Sequence, residues 1–185
     1  MGERLASCAL PQQALSERPQ TLVGKWQVIS SMQSTSPNLF MLRAIEVAKL
    51  NPHNPFGVVL VETASHVIVA EGVNQSSRNP TLHAEIDAIN KYAVSGETDW
   101  ARLTLYTTAE PCPMCMSPIL WSGISKVVYG TSIPILIKLG WDQIDIRALS
   151  VVARSYRTNC EVIPGVPAGE CDALFHNAAH AVVGT

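Results

Sequence analysis

Two short segments of this sequence carry residue types that bind metal ions. The first is His83-Ala84-Glu85, and the second is Pro111-Cys112-Pro113-Met114-Cys115. One imidazole and two thiolates supply three ligands for zinc, which favours a tetrahedral site. A site with three protein ligands leaves a fourth position for water, and zinc lowers the pKa of that water toward neutrality. The two segments therefore predict a hydrolytic zinc site with His83, Cys112 and Cys115 as ligands.

Glu85 is the candidate for proton transfer at this site. It follows His83 by two residues, so the two side chains do not share one helical face, but in a first helical turn Glu85 can point into the same cleft. A carboxylate beside a zinc water can take its proton and deliver it to a leaving group. The spacing predicts Glu85 as the general acid and base.

Each segment alone also has simpler interpretations. A lone His-x-Glu is common at solvated helix starts, and a lone Cys-x-x-Cys occurs in redox pairs and in structural zinc sites. A structural site requires a fourth protein ligand, and no second paired motif exists among the remaining candidates, which are Cys8, Cys160, Cys171, His53, His66, His176 and His180. His176 and His180 could share a helical face, but they have no third ligand. The combination is far more specific, because His-x-Glu followed by Pro-Cys-x-x-Cys is the signature of zinc deaminases.

Composition narrows the class of protein. The chain has 185 residues, of which 47% are hydrophobic and 15% charged, which predicts one globular domain with a sizeable core. The net charge of −2 counts against a dedicated nucleic-acid binder. No apolar run approaches the roughly 18 residues of a membrane span, and the apolar stretch before Pro11 is too short for a leader peptide. Five scattered cysteines favour a reducing compartment, so we expect a cytoplasmic protein.

The chain divides into an extension and a domain. Residues 1–36 are weakly patterned and rich in proline, glutamine, serine and threonine, which predicts a weakly ordered N-terminal extension. Residues 37–185 contain both motifs and all of the clear helical and strand periodicity. We therefore expect one domain over residues 37–185, and no internal repeat is visible.

Helices and strands alternate in the predicted domain. Residues 38–49 are helical in pattern, and two β-rich runs, 56–63 and 66–72, are joined by a short polar link that favours an antiparallel hairpin. Further helices are predicted over 82–94 (capped by Thr81), 113–121, 132–139, 143–155 and 169–181, and further strands over 102–107, 126–129 and 160–163. This order predicts a mixed sheet with helices on both faces. Both motifs then follow strand–loop connections, where open α/β sheets bind ligands.

Residues from about 39 to 129 resemble the cytidine deaminase superfamily. The residues that carry the resemblance are Asn54-Pro55-Phe56-Gly57, Glu71-Gly72-Val73-Asn74, His83-Ala84-Glu85-Ile86 and Thr108-Ala109-Glu110-Pro111-Cys112-Pro113-Met114-Cys115. They look most like the branch that holds guanine deaminases, fungal-type cytosine deaminases and tRNA adenosine deaminases. The resemblance implies a three-layer α/β/α sandwich around a five-stranded mixed sheet, one zinc ion per chain, and hydrolysis that releases ammonia.

The resemblance also implies roles at the substrate. The Asn74 side chain would hydrogen-bond the base ring, the backbone N–H of Ala84 would hold a ring substituent, and Phe56 would pack near the base. Asp142 is a further candidate contact. The alternatives are a turn role for Asn74, a core role for Phe56 and a loop or cap role for Asp142.

Within this branch the sequence is most similar to bacterial guanine deaminases. Gly140-Trp141-Asp142 resembles their Gly-Phe-Asp segment, after which a carboxylate helps to move a proton. This chain has Gln143 there, which cannot do so. Either Asp142 or Asp145 moves the proton in its place, or the substrate is a related base or triazine that does not need the second carboxylate. Residues 174–185 also lack the aromatic tail that covers the guanine site.

We therefore expect a zinc-dependent aminohydrolase that acts on a free nucleobase, with guanine-like purines or s-triazines favoured. A cytosine deaminase, a nucleoside deaminase and a tRNA adenosine deaminase remain alternatives, and a structural zinc module or a redox cysteine pair would be a different class of protein. Relatives are usually dimers, so a homodimer is expected, with Trp121 in the core or at the subunit interface.

Overall fold

A five-stranded mixed sheet forms the centre of the fold. The computed structural model describes residues 37–156 and 159–183, so the predicted extension over residues 1–36 lies outside the described residues. The sheet has the order β2-β1-β3-β4-β5. Its strands are β1 (Gly57–Glu62), β2 (Val67–Val73), β3 (Leu103–Ala109), β4 (Lys126–Thr131) and β5 (Glu161–Ile163). Strand β1 is antiparallel to both β2 and β3, whereas β3, β4 and β5 run parallel.

Helices cover both faces of this sheet. They are α1 (Pro37–Ala48), α2 (Ala84–Ala93), α3 (Pro113–Ser122), α4 (Ile133–Lys138), α5 (Ala148–Ala153) and α6 (Ala168–Val183). Residues of α2, α3 and α5 pack into one hydrophobic cluster, and residues of α1 and α6 pack into another on the opposite face. The predicted three-layer α/β/α sandwich is confirmed. None of the described helices is long and apolar enough to cross a bilayer.

The interior strand β1 shows why both faces must be covered. Val58 and Leu60 belong to the cluster under α2 and α3, while Val59 and Val61 belong to the cluster under α1. Successive side chains of a strand point to opposite faces, so a strand buried on both sides reads as an unbroken apolar run. All four of these side chains are buried.

Two predicted helices differ from the structure at their starts. Helix α2 begins at Ala84 with His83 as its N-cap, so the prediction of Thr81 as the cap was wrong. The Thr81 hydroxyl instead donates a 2.9 Å hydrogen bond to Asn79 Oδ1, which holds it in the preceding turn. The helix predicted over 143–155 is confined to α5, because the chain before Ala148 forms a loop that ends at Arg147.

Helix α2 lies unusually close to the edge strand β2 at Gly72. A Cβ atom there would collide with the backbone oxygen of Ala84 and would lie 2.6 Å from the backbone nitrogen of Ala88. Only glycine permits this approach. The glycine therefore sets the distance between the sheet and the helix that begins with the His-x-Glu motif.

Substitution Gly72→Ala should destabilise the protein by about 1–3 kcal/mol, because the helix backbone must move to relieve the collision. The measurement is the free energy of unfolding in urea. Gly169→Ala is the matched control, since nothing lies within 4 Å of an added Cβ there, and its stability should stay within about 1 kcal/mol of the parent. Equal stability of the two variants would contradict the close approach of α2.

Candidate active site

The two predicted metal-binding segments meet at the starts of α2 and α3. His83 is the N-cap of α2 and Cys112 is the N-cap of α3, and both have extended backbone conformations. Neither side chain makes a capping hydrogen bond to its own helix. Pro113 occupies the first turn of α3, where a missing N–H costs nothing, and Gly123 ends that helix in the left-handed conformation. The local sequence thus turns both side chains away from their helices.

His83, Cys112 and Cys115 bring three ligand atoms within 4.8 Å of one another. Cys112 Sγ lies 3.8 Å from His83 Nδ1. Zinc–sulfur bonds of about 2.3 Å and zinc–nitrogen bonds of about 2.0 Å at tetrahedral angles separate neighbouring ligand atoms by roughly 3.5–3.8 Å. The donor set and its spacing therefore fit zinc. Within the described part of the chain, no other group of three His, Cys, Asp or Glu side chains has this arrangement.

The two thiols of this group differ in how readily they lose their protons. Hydrogen bonding from Cys115, and then from His83, lowers the pKa of Cys112 to about 4. The pKa of Cys115 is raised, because its thiol proton is shared with Cys112 and because the side chain is buried. The two thiols thus retain one proton between them at neutral pH. Zinc must displace that proton on binding, which makes its uptake pH-dependent.

Glu85 lies buried next to the three ligand residues. Thr107, at the end of β3, donates a 3.1 Å hydrogen bond to Glu85 Oε1. Burial raises the pKa of Glu85, and the negative charge of Cys112 raises it further. A carboxyl group that binds its proton more tightly than usual is suited to carry protons near neutral pH. Sequence reasoning missed Thr107, although a polar residue in a wholly buried strand is itself a signal.

A cavity of about 630 Å³ opens beside His83 and Cys112. It includes three of the predicted substrate-contact residues, Phe56, Asn74 and Asp142, in its lining. The other lining residues are His53, Asn54, Ser76, Glu110, Leu139, Gly140, Trp141, Gln143 and Ala179. Ala84 is fully buried, and it begins α2, where the first amides have no partner within the helix.

Asn74 is held in one orientation at the end of β2. Its Oδ1 accepts a 2.8 Å hydrogen bond from the backbone N–H of Ser76. Its backbone carbonyl accepts one from Asn51 Nδ2, and its backbone N–H donates to the carbonyl of Phe56. The turn interpretation and the cavity interpretation of Asn74 are therefore compatible, since the residue forms a turn and also lines the cavity.

Asp87 ties the helix that carries Glu85 to the strand end that carries Asn74. Its carboxylate accepts hydrogen bonds from the Val73 backbone N–H at 3.0 Å and from Gln75 Nε2 at 3.2 Å. Lys91 Nζ lies 2.7 Å from the same carboxylate. Sequence analysis did not single out Asp87, because two of its partners, Val73 and Gln75, lie more than ten residues earlier in the chain.

Three aromatic side chains form one wall near the cavity. Phe56 meets Trp141 edge-on with ring centroids 5.6 Å apart, and both rings contact Phe175 of α6. Trp141 Nε1 donates a hydrogen bond to the carbonyl of Phe175. Although residues 174–185 show no match to the aromatic tail of guanine deaminases, α6 brings Phe175 to this wall and Ala179 to the cavity.

Several other predicted candidates lie away from the cavity. Asp145 lines a different groove, of about 790 Å³, together with Trp121 and Tyr156. Trp121 is 69% exposed, so the core interpretation was wrong and the interface interpretation stays a prediction. His66 and His176 are exposed, as expected for surface residues, whereas the exposed His53 borders the cavity.

Comparison with known proteins agrees with this geometry. Residues 34–131 match the family model described as the cytidine and deoxycytidylate deaminase zinc-binding region. A probable cytosine deaminase of Schizosaccharomyces pombe is 36% identical over 115 residues, or 60% of this chain and 70% of the relative. A guanine deaminase of Bacillus subtilis is 36% identical over 110 residues, or 56% of this chain and 69% of the relative. Curated tRNA-specific adenosine deaminases also match.

The fold has solved counterparts as well. The structure of a guanine deaminase from Nitrosomonas europaea superposes with a TM-score of 0.69 at 23% identity, covering 78% of this chain and 85% of the other. This likeness is one of fold. The family match spans more than half of the chain and includes both metal-binding segments. The chain therefore belongs to the cytidine and deoxycytidylate deaminase family, and it is a hydrolytic deaminase of the zinc-binding type.

Proposed function

We propose that this enzyme deaminates a free nucleobase or a related heterocyclic amine, with guanine-like purines and s-triazines favoured. The observation that carries the proposal is the composition of the cavity lining. Two of the three candidate metal ligands, two aromatic side chains and the amide side chains of Asn74 and Gln143 all border the same cavity. Its volume of about 630 Å³ lies within the range of about 300–1,000 Å³ typical of small-molecule sites. The 36% identity with the guanine deaminase of Bacillus subtilis supports the same substrate class.

The proposed roles follow from the placement of each group. Zinc, held by His83, Cys112 and Cys115, would activate water and act as a Lewis acid. Glu85 would place one proton on the ring nitrogen and would then carry a second proton, from the added hydroxyl group, to the departing amine, while Thr107 holds the carboxylate in place. Ammonia leaves, and an oxo group replaces the amine on the ring.

Recognition of the base rests on groups with defined hydrogen-bonding roles. Because Asn74 Oδ1 accepts from Ser76, its side-chain nitrogen is the group that donates to a ring acceptor. The first-turn amide of Ala84 is a second donor. Phe56 and Trp141 supply apolar ring contacts, and Asp142 supplies an acceptor at the cavity wall. These roles match a planar base that carries both acceptors and donors.

Gln143 distinguishes between members of the proposed substrate class. It lines the cavity beside Asp142, and its amide cannot carry a proton. Asp145 lines a different groove, so Asp142 is the candidate for the second carboxylate. Either Asp142 carries the second proton for guanine, or the substrate is a related purine or triazine that needs no second proton carrier.

The main alternative is a tRNA adenosine deaminase, which is supported by the matches to that group of enzymes. The net charge of −2 counts against tRNA, because phosphate contacts dominate such binding. Cytosine deamination is supported by the relative from Schizosaccharomyces pombe. A structural zinc module would require a fourth protein ligand, and the described part of the chain offers none beside the three.

We also propose that residues 37–185 form the deaminase domain and that the enzyme is a cytoplasmic homodimer. Each of the four described cysteines is a free thiol, which suits a reducing compartment. Trp121 and Tyr156 are 69% and 67% exposed, with ring centroids 5.2 Å apart, and the exposed Ile146 lines the same groove. Large exposed apolar patches of this kind mark interaction sites.

Glu85→Gln should lower the rate of ammonia release by about 10²–10⁴-fold, because the amide cannot carry the proton. Zinc content, measured by atomic emission, should stay at one ion per chain. The exposed Glu46→Gln is the control and should keep its activity. A Glu85→Gln protein with bound zinc and normal turnover would overturn the proposed mechanism.

A panel of substrates tests the role of Gln143. Ammonia release is measured with guanine, isoguanine, ammeline, cytosine, adenine, guanosine, cytidine and tRNA. We expect activity on free bases only, and we expect Gln143→Glu to raise kcat/KM for guanine by about 10-fold or more, because it restores a carboxylate. Gln143→Asn is the matched control without that gain. Activity confined to nucleosides or tRNA would refute the free-base assignment.

Trp121→Asp should convert a dimer into a monomer, because it places a charge in the proposed interface. Light scattering after gel filtration gives the mass directly. Val94→Asp, at a residue 88% exposed on another helix end, should leave the mass at twice that of one chain. A parent protein with the mass of a single chain would refute the dimer.

A further inference from the structure

An ion pair between a buried carboxylate and a partly exposed arginine joins the second metal-binding segment to the loop that lines the cavity. The Glu110 side chain is 1% exposed, and it lies two residues before Cys112. Arg147 Nε donates to both of its oxygens, at 2.9 Å and 2.8 Å. The same guanidinium donates a 3.0 Å hydrogen bond to the hydroxyl of Tyr129. Two contacts therefore hold Arg147 in place, one to Glu110, which follows β3, and one to Tyr129 of β4.

The Glu110 carboxylate also holds the starts of two helices. It accepts hydrogen bonds from the backbone N–H of Ile133, at 3.0 Å, and of Ala148, at 2.9 Å. These residues begin α4 and α5, whose first amides have no partners within the helices. One carboxylate therefore binds the first residue of α4 and the first residue of α5.

Between those helices, residues 139–147 form an irregular segment that supplies much of the cavity wall. Its side chains at the cavity include Trp141, Asp142 and Gln143. The Trp141 backbone N–H donates to the carbonyl of Leu136, which ties the segment to α4 at its start. At its end the segment is tied to the metal-binding loop by Arg147. Asp142 and Gln143 lie between these two attachments.

We propose that Glu110 and Arg147 are positioning residues that place the 139–147 segment, and with it Asp142 and Gln143, for substrate recognition. The proposal rests on the proposed function for the identity of the substrate, but not for the ordering of the segment. Because Glu110 and Cys112 share one short stretch of backbone, the ion pair sets the position of the recognition side chains relative to the metal ligands. Its loss should change substrate binding more than the chemical step.

Arg43 and Glu71 provide a matched comparison within the same chain. Arg43 Nε lies 2.6 Å from Glu71 Oε1, and a second hydrogen bond of 2.8 Å joins its Nη2 to Oε2. This pair has the same chemistry but joins α1 to β2 at the surface, and neither residue lines the cavity. Breaking it removes a bidentate arginine–carboxylate contact without touching the 139–147 segment.

The first test measures hydrogen–deuterium exchange of the zinc-loaded protein without any substrate. Arg147→Gln should speed amide exchange in residues 139–147 by about 10-fold or more, while α1 and β1 stay as protected as in the parent. Tyr129→Phe removes only one of the contacts to Arg147 and should give a smaller effect at the same residues. Arg147→Lys keeps the charge without the planar fork and covers the case in which Arg147→Gln does not fold. Arg43→Gln should leave the segment unchanged.

The second test is kinetic and uses the best base in the panel as its probe. Arg147→Lys should raise KM by about 10-fold while kcat stays within about 3-fold, with one zinc per chain. It should also change the ratio of kcat/KM between guanine and ammeline, whereas a merely structural loss would lower both equally. Unchanged exchange in residues 139–147, or faster exchange throughout the protein, would overturn the proposal. If the parent deaminates no base, the proposed function fails, and the exchange pattern alone decides the role of Arg147.

Discussion

The geometry of the site depends on one constraint, which is that two helices begin at the same edge of the sheet. A helix N-cap has an extended backbone and leaves its side chain free when it does not bond to its own helix. His83 and Cys112 both occupy such positions, and Cys115 follows in the first turns of α3. The partial positive charge of two helix starts favours the anionic thiolate beside them. The strands behind these helices therefore determine where the metal ligands meet.

Buried carboxylates extend this constraint to the substrate cavity. Asp87 fixes the strand end that carries Asn74 to the metal-binding helix α2, and Glu110 fixes the 139–147 segment to the metal-binding loop. Each has its charge balanced by a cation and by backbone N–H groups, which is the condition for burying a carboxylate without destabilising the fold. Both sides of the cavity are thus held in position relative to the same three residues, His83, Cys112 and Cys115.

Local pattern was sufficient for the existence of most elements, and it singled out the candidate metal ligands and Glu85, whose roles stay a prediction. All five strands were predicted; β1 is an unbroken apolar run from Val58 to Val61, and the β1–β2 link is short and polar. The metal ligands and Glu85 stood out, since their spacing has few other chemical uses. The start of α2 was misplaced because a hydrogen bond between Thr81 and Asn79 competes with capping, which residue type alone does not reveal.

The remaining site residues were hidden because their partners are distant in sequence. Thr107 acts on Glu85 from another element, and Phe175 reaches Phe56 across more than a hundred residues. The loop before α5 was predicted to be helical. Its sequence pattern does not show that the distant Glu110 binds the backbone amide of Ala148 at the start of α5. The interpretation of Trp121 as a core residue failed for a related reason, because apolar character does not distinguish a buried face from an exposed one.

The contribution of α6 to the cavity has a consequence for how the enzyme is made. Ribosomes extend a chain from its N-terminus, and a domain generally folds as a unit. The residues that would hold zinc end at Cys115, whereas the aromatic wall and the cavity also include Trp141, Phe175 and Ala179. A nascent chain therefore contains every candidate zinc ligand well before the residues of the cavity wall are complete. Loss of the last helix alone would leave all of those ligands in the chain and remove part of the wall.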